Sequence, residues 1–564
     1  MMLGMRNKKV NNTKIMFLVA LTVISLCAVS TKSVNSQDSG GIYVLSDGSV
    51  TTSTNITVPI QRDGNIYTFT DNIDNYYLIV QCNNIIVDGA GYSLAGQGEM
   101  GIDLSYRSNV TIKNLQIGYS VYGIFLYGAY QNTISGNTLT NNDYGVYLSE
   151  ASQNTIIGND VTNNAIGISI MSSSNNILRE NEINDNYNFA IYLYGTEPSH
   201  FDNDIDDSNT VNDKEVYYLI GESNLVINSV TFPDVGYLAL VNCNNITVHH
   251  LELTGNGQGI LLAYTTNSTI YENRISDNYS GIALFASSNN YIATNNIIDN
   301  YRGIQFSNSS YFNGIAYNVI TNGTAGVFLF NSYQNTFTLN NITNNEIGIA
   351  LNDASFNMIR ANYFIDNDRQ VYDVSTEDSS VNASMNSWAV GYPTGGNYWS
   401  DYTGIDVKTG QNQNQTGSDG IGDTPYIIDQ YNQDDFPLMP YGSPIPITIV
   451  SPENKTYTVN SISLNFTVSE ATSWIKYSLD EKANVTITED ITLSDLSYGE
   501  HSITIYTQDT DGQIRASETI YFTIAEEGEA TQSEFSPIIL IAAIILLVVI
   551  IGVILFYFLK AEKK

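Results

Sequence analysis

Residues 137–148 read NTLTNNDYGVYL, and this arrangement returns about every 22 or 23 residues through most of the chain. Each copy opens on an asparagine, and from Asn137 on it places an apolar residue two positions later and usually a second asparagine five positions later. Most copies close on glycine with short apolar alternation. The opening asparagines are Asn114, Asn137, Asn159, Asn181, Asn273, Asn295, Asn318, Asn340 and Asn362. The gap between Asn181 and Asn273 is 92 residues, or four repeats of 23, so the pattern predicts that the register continues through it.

A repeat of this length is typical of a solenoid, in which each unit buries its apolar face against its neighbours. Alternation with period two, as in residues 145–148, indicates strands, and nothing in the repeat has the apolar period of a helix. We therefore predict an all-β chain built on a parallel β-helix of about 13 coils between about Cys82 and Asp373. Its stacked asparagines are predicted to form hydrogen-bonded amide ladders at the corners.

Composition limits the partners. The net charge is −35, from 57 acidic and 22 basic residues, which argues against nucleic acid because a polyanion requires a basic surface. The 40 tyrosines suit stacking against sugars, but they suit β-strands equally well.

The two ends predict export and anchoring. Four basic residues precede the apolar run 15–29, as in a secretory signal peptide. Residues 537–559 form an almost uninterrupted apolar stretch that ends in lysines, which predicts a transmembrane helix with a cytoplasmic tail. We therefore expect a single-pass cell-surface protein whose N-terminal region is extracellular.

Changes of pattern divide the chain further. Strands at roughly ten-residue spacing after residue 445 indicate a small immunoglobulin-like β-sandwich without a disulfide. The predicted parts are a signal peptide (1–36), an N-terminal cap (37–81), β-helix repeats (82–387), a Gly/Asp-rich C-terminal cap (388–444), the sandwich (445–525), a linker (526–536), the transmembrane helix (537–559) and the tail (560–564).

The spacing of the cysteines is consistent with a signal peptide followed by stacked coils. Cys27 lies in the predicted signal peptide, while Cys82 and Cys243 are 161 residues apart, which equals seven repeats of 23. Seven coils separate them by about 34 Å, far beyond the reach of a disulfide. We predict two unpaired, buried thiols.

Three stretches resemble a known family: NIIVDGAGY at residues 84–92, GNYWSD at 396–401 and DGIGDTPY at 419–426. Together with the Asn-rich coils, they look like the NosD-like β-helix proteins, in the wider class of carbohydrate-binding and sugar-hydrolysis (CASH) domains, over roughly residues 40–440. The resemblance implies a right-handed helix and binding of extracellular polysaccharide. The terminal sandwich and anchor look like archaeal cell-surface members.

The family name also implies copper, which requires clustered Met, His or Cys ligands. Only His249 and His250 are adjacent, and His250 occupies a position otherwise held by a ladder asparagine, which favours a structural role. Hard oxygen donors are more numerous. Asp401, Asp406, Asp419 and Asp423 lie in Gly-rich loops and predict a possible calcium site, although Asp-Gly pairs also simply make turns.

Catalysis on a polysaccharide needs acidic residues at defined separation. Residues 194–228 depart from the repeat and predict loops that project from the helix, where Asp202, Asp204 and Asp207 are the catalytic candidates. Three functions stay open: glycan binding without catalysis, which we favour, a polysaccharide lyase or glycoside hydrolase, and a structural adhesin or envelope component. A binder is expected to show a row of exposed tyrosines, and an enzyme an acidic cluster in a groove.

Overall fold

The computed structural model describes residues 40–525, apart from 55, 407, 417–418, 440–446, 469–471, 481, 510–513 and 518. The chain divides into two compact units, Met1–Met439 and Pro440–Lys564. The predicted signal peptide, linker, transmembrane helix and tail lie outside the described residues. Within the part that is described, no helix is long and apolar enough to cross a membrane.

The first unit is a parallel β-solenoid of about 14 turns with almost no helix, and it consists of two stacks of coils. The first stack contains β1 (Gly40–Val44), β2 (Val50–Thr52), β3 (Ile60–Asp63), β4 (Ile66–Phe69), β5 (Ile73–Asp74), β6 (Tyr76–Val80), β7 (Ile86–Asp88), β8 (Ser93–Asp103), β9 (Thr111–Lys113), β10 (Gln116–Tyr127), β11 (Thr133–Ser135), β12 (Thr138–Thr140), β13 (Tyr144–Ser149), β14 (Thr155–Ile157), β15 (Asp160–Thr162), β16 (Ile166–Met171), β17 (Ile177–Arg179), β18 (Glu182–Ile183), β19 (Phe189–Tyr194), β20 (Asp204–Ile205) and β21 (Thr210–Val211), with a 3-10 helix at Pro198–Phe201.

The second stack contains β22 (Lys214–Ile220), β23 (Val226–Ile227), β24 (Val235–Val241), β25 (Thr247–His249), β26 (Glu252–Thr254), β27 (Gln258–Ala263), β28 (Thr269–Tyr271), β29 (Arg274–Ser276), β30 (Ser280–Phe285), β31 (Tyr291–Ala293), β32 (Asn296–Ile298), β33 (Arg302–Ser307), β34 (Gly314–Ala316), β35 (Val319–Thr321), β36 (Ala325–Phe330), β37 (Thr336–Thr338), β38 (Asn341–Thr343), β39 (Ile347–Asn352), β40 (Met358–Arg360), β41 (Tyr363–Ile365), β42 (Arg369–Asp373) and β43 (Tyr398–Trp399), with a 3-10 helix at Val374–Thr376. Four short strands follow it: β44 (Lys408–Thr409), β45 (Gln415–Thr416), β46 (Tyr426–Ile427) and β47 (Gln433–Asp434).

Each coil contributes strands to three faces, which we call A, B and C. In the second stack, face B runs β23-β25-β28-β31-β34-β37-β40 and face C runs β26-β29-β32-β35-β38-β41-β43. In the first stack, face A runs β1-β6-β8-β10-β13-β16-β19, all parallel. In the second stack it runs β22-β24-β27-β30-β33-β36-β39-β42, also parallel. Parallel pairing already joins β1 to β6, so the stack begins ahead of the predicted start at Cys82, and the capping features are the antiparallel strands β2 and β3.

An asparagine ladder runs along both stacks, and one of the predicted residues lies outside it. Asn137 Nδ2 donates to Asn159 Oδ1 at 3.0 Å, and the same bond repeats along both stacks and ends on Asn397. Asn114 is not a member. Its neighbour Leu115 occupies the ladder position and donates its backbone N–H to Asn137 Oδ1, while Asn114 is exposed with φ 53°.

Each of the three corners in fact carries a ladder. The second asparagine of the repeat forms one, as where Asn142 Nδ2 donates to Asn164 Oδ1 at 3.0 Å. A third was not predicted: its members are Asn132, Asn154, Asn176 and Asn203 in the first stack and Asn290, Asn313, Asn335, Asn357 and Asn386 in the second. These amides satisfy buried backbone groups at every corner, as a tightly turned coil requires.

The prediction of four regular repeats between Asn181 and Asn273 is wrong. Strand β21 pairs antiparallel with β22, and the chain reverses at Asn212 and Asp213, whose φ angles are 49° and 62°. Two consecutive positive φ values are the conformation that a two-residue hairpin needs and that Asn and Asp tolerate. Residues 194–228 are therefore the junction between two stacks rather than projecting loops.

At this junction the first stack packs end-on against the second. Along β24 the side chains alternate: Leu238 and Leu240 enter the core of the second stack, whereas Tyr237 and Ala239 enter the core of the first. The Phe201 and Phe285 rings are 5.4 Å apart across the contact. Face A of the second stack thus covers the open end of the first, which a solenoid must protect.

The C-terminal end of the second stack is closed by aromatic stacking. Trp399 lies between Phe364 and Tyr426, with ring centroids 4.4 Å and 4.3 Å away. The buried carboxylate of Asp434 accepts from Trp399 Nε1 at 2.9 Å and from the Asn397 backbone N–H at 2.6 Å. This segment is the one predicted as a cap at 388–444.

The second unit contains two sheets around one small core that includes Leu464, Ile503 and Phe522. Its strands are β48 (Ile447–Ser451), β49 (Thr456–Tyr457), β50 (Ile462–Val468), β51 (Thr472–Leu479), β52 (Val485–Ile487), β53 (Ile491–Leu493), β54 (Gly499–Asp509), β55 (Ile514–Ala516) and β56 (Ile520–Ile524). One sheet has the order β48-β50-β53, and the other has the order β49-β56-β54-β51-β52, with β55 beside β54. The immunoglobulin-like assignment stays a prediction.

Candidate functional site

The three predicted catalytic aspartates do not converge. Asp202 and Asp204 line a cavity of about 270 Å³ with Tyr218 at the junction, but Asp207 is not among its lining residues. Asp204 pairs with Arg179 at 2.6 Å, and Asp206 binds the same guanidinium at 2.8 Å. The cation that holds both carboxylates makes this an ion-pair network that fixes β20 against β17.

The carboxylates of the four predicted calcium ligands are all engaged in hydrogen bonds with nearby groups. Asp406 accepts the backbone N–H groups of residues 419 and 420, while Asp419 accepts from Thr409 and Gln413. Asp423 accepts from the Lys408 N–H, and Asp401 accepts from Tyr426. Across the described ranges, no three His, Cys, Asp or Glu side chains form a group that could hold a metal ion. Calcium binding stays an untested prediction.

Aromatic side chains, in contrast, form rows along the outer side of face A of the first stack. Tyr122 stacks on Tyr144, with centroids 5.1 Å apart, and Phe125 stacks on Tyr147 at 5.6 Å. These partners are lateral neighbours in adjacent coils. The Phe125 row continues through Ser169 to Tyr192.

The rows meet a second aromatic row at the junction. Tyr192 lies edge-on to Tyr279, with centroids 5.6 Å apart, and Tyr279 stacks on Tyr301 of the next coil at 5.0 Å. Beside them lies Arg302, with its guanidinium 3.9 Å from the Phe328 ring centroid and 5.3 Å from that of Tyr279. We call this set the aromatic corner: Tyr122, Phe125, Tyr144, Tyr147, Tyr192, Tyr194, Tyr279, Tyr301 and Arg302.

Burial affects three phenols of the corner. Burial raises the pKa of Tyr192, Tyr194 and Tyr301 above the ordinary value of tyrosine. Tyr194, Tyr279 and Tyr301 are nevertheless only half-buried, so ring surface faces solvent. The corner therefore offers apolar ring faces together with neutral hydroxyl groups that can donate hydrogen bonds.

The corner was not located from the sequence, although a signal was present. Tyr122 and Tyr144, Phe125 and Tyr147, and Tyr279 and Tyr301 are all 22 residues apart, which is one repeat. This spacing predicts each lateral pair. The meeting of the two rows depends on the packing of one stack against the other, which no repeat encodes.

An acidic groove continues the Tyr279–Tyr301 row along the second stack. It is a cavity of about 440 Å³ at Gly323, where glycine replaces a ladder asparagine, and its lining includes Glu346, Asp366 and Asp368. Glu346 and Asp368 occupy the same position in adjacent coils, because the residues that follow them, Ile347 and Arg369, are register partners. This groove was also missed by the sequence reasoning.

Family models match most of the solenoid. Residues 201–404 match the family described as periplasmic copper-binding protein (NosD), and residues 78–213 match the right-handed β-helix region. The two matches together cover residues 78–404 and support placing this part of the chain among the NosD-like β-helix proteins. Comparison with curated proteins finds no match.

Solved structures similar to this NosD-like protein include three proteins named for alginate or mannuronan. They are the A-module of the mannuronan C-5 epimerase AlgE6 of Azotobacter vinelandii (16% identity, 55% of this chain and 84% of that one, TM-score 0.19), a periplasmic alginate epimerase AlgG double mutant (12%, 58% and 85%, 0.21) and an alginate lyase from Paenibacillus sp. (12%, 47% and 87%, 0.18).

The copper in the family description does not fit the donors found here. The Asn228 amide oxygen accepts two backbone N–H groups, so its Nδ2 donates to His249 Nε2 at 3.2 Å. His249 Nδ1 then donates to His250 Nδ1 at 2.6 Å, and His250 Nε2 pairs with Glu272 at 3.2 Å. Every imidazole nitrogen is engaged, and no third metal-binding side chain joins them among the described residues. This pair is better explained as a hydrogen-bonded chain.

Proposed function

We propose that this protein binds extracellular polysaccharide or cell-envelope glycan, without catalysis, through the aromatic corner. The observation that supports the proposal is the two aromatic rows that meet where one stack joins the other, in which Tyr144 and Tyr192 are buried and the other rings are half-buried. Stacked aromatic faces bind the C–H faces of sugars, while phenol hydroxyls supply directional hydrogen bonds. Such side chains are rigid, so little conformational entropy is lost when they are covered.

We further propose that the protein is held at the cell surface. The signal-like run at 15–29 and the apolar stretch at 537–559 support secretion followed by anchoring in the membrane. The second unit would then be an immunoglobulin-like domain that precedes the anchor in the sequence. In this arrangement the corner is accessible to glycans outside the cell.

A second candidate function, glycoside hydrolysis or lyase activity, is favoured by the acidic groove. Glu346 and Asp368 lie in adjacent coils next to the aromatic row, and hydrolysis requires two carboxyl groups that flank a glycosidic bond. Such a groove was the feature expected of an enzyme. The structural adhesin is the third possibility and requires neither feature.

One experiment separates the three. The purified full-length protein is incubated with a panel of polysaccharides, with and without calcium, and both retention and newly released sugar ends are measured. Retention without cleavage supports the binder. Cleavage that is lost in the Glu346→Gln/Asp368→Asn variant supports the enzyme, and absence of both retention and cleavage supports the structural role.

A further inference from the structure

Arg302 is a charged side chain in an unusual position. It is only 4% exposed, and it lies on the outer side of face A, where its neighbours include Tyr279, Phe328 and Gln305. Burying a charge is costly unless the charge is paired. In a chain with 57 acidic and 22 basic residues, a carboxylate partner would be easy to supply, yet no ion pair joins Arg302 to any residue in the described part of the chain.

The polar contacts of Arg302 are incomplete. Nη1 donates to Gln305 Oε1 at 3.1 Å, and the same oxygen accepts from the Ser280 hydroxyl at 2.7 Å. No other hydrogen bond of the guanidinium reaches a described residue. None of its nitrogens is both enclosed and unbonded, so its remaining N–H groups keep a small contact with solvent although the residue as a whole is only 4% exposed.

Gln305 fixes the orientation of this arrangement. Its Nε2 donates to Ser307 at 3.1 Å, which leaves Oε1 as the acceptor for both Arg302 and Ser280. The aromatic rings hold the guanidinium plane by cation–π contact without neutralising its charge. The result is a positioned cation whose unbonded N–H groups have a small solvent-accessible edge.

We infer that the aromatic corner recognises a negatively charged sugar, and that Arg302 binds the carboxylate of a hexuronic acid unit. This inference rests on the proposed function and specifies its ligand. A guanidinium binds a planar carboxylate through two parallel hydrogen bonds, while the sugar ring lies against Tyr279 and Tyr301. Only the carboxylate of the sugar must reach Arg302, so the sugar ring stays outside, against the half-buried rings of Tyr279 and Tyr301.

The net charge of −35 opposes any polyanion at long range, and Glu346, two coils from Tyr301 in the same row, opposes it locally. At physiological ionic strength the Debye length is about 8 Å, so distant acidic residues are screened while a direct, partly enclosed contact is screened much less. Affinity for an acidic glycan should therefore not fall steeply between low and physiological salt. Affinity that came only from diffuse electrostatic attraction would fall steeply over the same range of salt concentration.

The first arm of the test needs no mutation. A short hexuronate oligomer and its carboxyl-reduced neutral counterpart are titrated against the full-length protein by calorimetry. The hexuronate is expected to bind at least about tenfold more tightly, as charge-assisted hydrogen bonds imply. The third ligand is the carboxyl-reduced oligomer after sulfation, which carries sulfate esters in place of carboxylates. If it binds as tightly as the hexuronate, any anion suffices and the assignment to a carboxylate is overturned.

The second arm uses Arg302→Met and Arg302→Lys. Arg302→Met should bring the two ligands to within about twofold of each other, and Arg302→Lys should retain part of the preference because a charge remains. Arg274→Met is the control, since Arg274 is half-exposed and lies near Glu252 on face C. Unchanged preference in Arg302→Met would overturn the inference.

The outcomes distinguish the inference from the function on which it rests. Equal binding of the acidic and neutral oligomers contradicts the role of Arg302 but leaves glycan binding intact. If neither oligomer binds, and the polysaccharide panel also fails, the proposed function falls with it. Retained binding of the neutral oligomer by Arg302→Met shows that the corner still folds.

Discussion

Tyr192 and Tyr279 belong to different stacks, yet their rings meet edge to face, with centroids 5.6 Å apart and an interplanar angle of 88°. Tyr192 ends the row on the first stack, and Tyr279 begins the row on the second. Their contact lies where the first stack packs end-on against face A. The candidate site therefore depends on the same packing that closes the end of the first solenoid.

The junction should be a major contributor to stability. Phe201 is fully buried between the stacks, and replacing a buried phenylalanine by alanine typically costs about 3–5 kcal/mol. We expect Phe201→Ala to lower the free energy of unfolding by about this amount in denaturant titration, and to weaken glycan binding because the two aromatic rows lose alignment. Phe356→Ala, at a side chain that is 70% exposed, is the control and should change stability little.

The ladder predicts a sharp contrast between two asparagines of the same sequence motif. Asn295 Oδ1 accepts from Asn273, and its Nδ2 donates to Asn318 and to two backbone carbonyls. Asn295→Ala leaves several of these buried groups unsatisfied and should cost about 2–4 kcal/mol. Asn114→Gly should cost less than about 0.5 kcal/mol, because Asn114 is exposed and glycine accepts its positive φ. Equal losses in chemical unfolding would contradict the ladder assignment.

The C-terminal cap should lose stability as pH rises. Burial raises the pKa of Asp434 to about 6, despite hydrogen bonds from Asn397 and Trp399 that lower it. Its pKa in an unfolded chain is about 3.9, so between these values the folded state binds more protons than the unfolded state. This contribution is therefore fully present below about pH 4, is lost as pH rises to about 6, and is constant above that.

The matched variant for this prediction is Asp434→Asn, which does not titrate. Subtracting its unfolding free energy from that of the wild type at each pH isolates the contribution, since acidic groups with lowered pKa values act in the opposite direction in both proteins. A difference that changes by about 2–3 kcal/mol between pH 4 and pH 6 is expected from the size of the shift. Tryptophan fluorescence can follow the cap, because Trp388 and Trp399 are both buried in it. A difference that does not vary with pH would contradict the prediction.

The repeat made most of the solenoid predictable. Three positions of the repeat recur with a fixed period: the asparagine at Asn137, the apolar residue two positions later and the closing glycine. Their period predicts the coil length, the strand spacing and the ladder. The third ladder, at Asn132 and Asn290, has the same period and could have been found in the same way. Cys82 and Cys243 are free as predicted, although Cys82 is only half-buried. Their predicted separation of seven regular coils does not survive the reversal of the chain at Asp213.

What could not be predicted depends on contacts between distant segments. The sequence around Asn212 contains a hairpin signal, but a local turn does not reveal that the chain starts a second stack that covers the first. Strand β24 is a continuous apolar run without polar alternation. The reason is that both of its faces are buried, one in each stack. The same holds for Arg302, whose isolation from carboxylates is a property of the folded surface.

Glycan affinity of a paired set of variants tests the central claim most directly. Tyr147→Ala/Tyr279→Ala removes one ring from each row, and Tyr291→Ala/Tyr363→Ala removes two exposed rings from faces B and C. With the polysaccharide that wild-type protein retains best, the first variant should lose at least about tenfold in affinity by calorimetry, and the second less than about twofold. Equal affinities for the two variants would contradict the assignment of glycan binding to the aromatic corner.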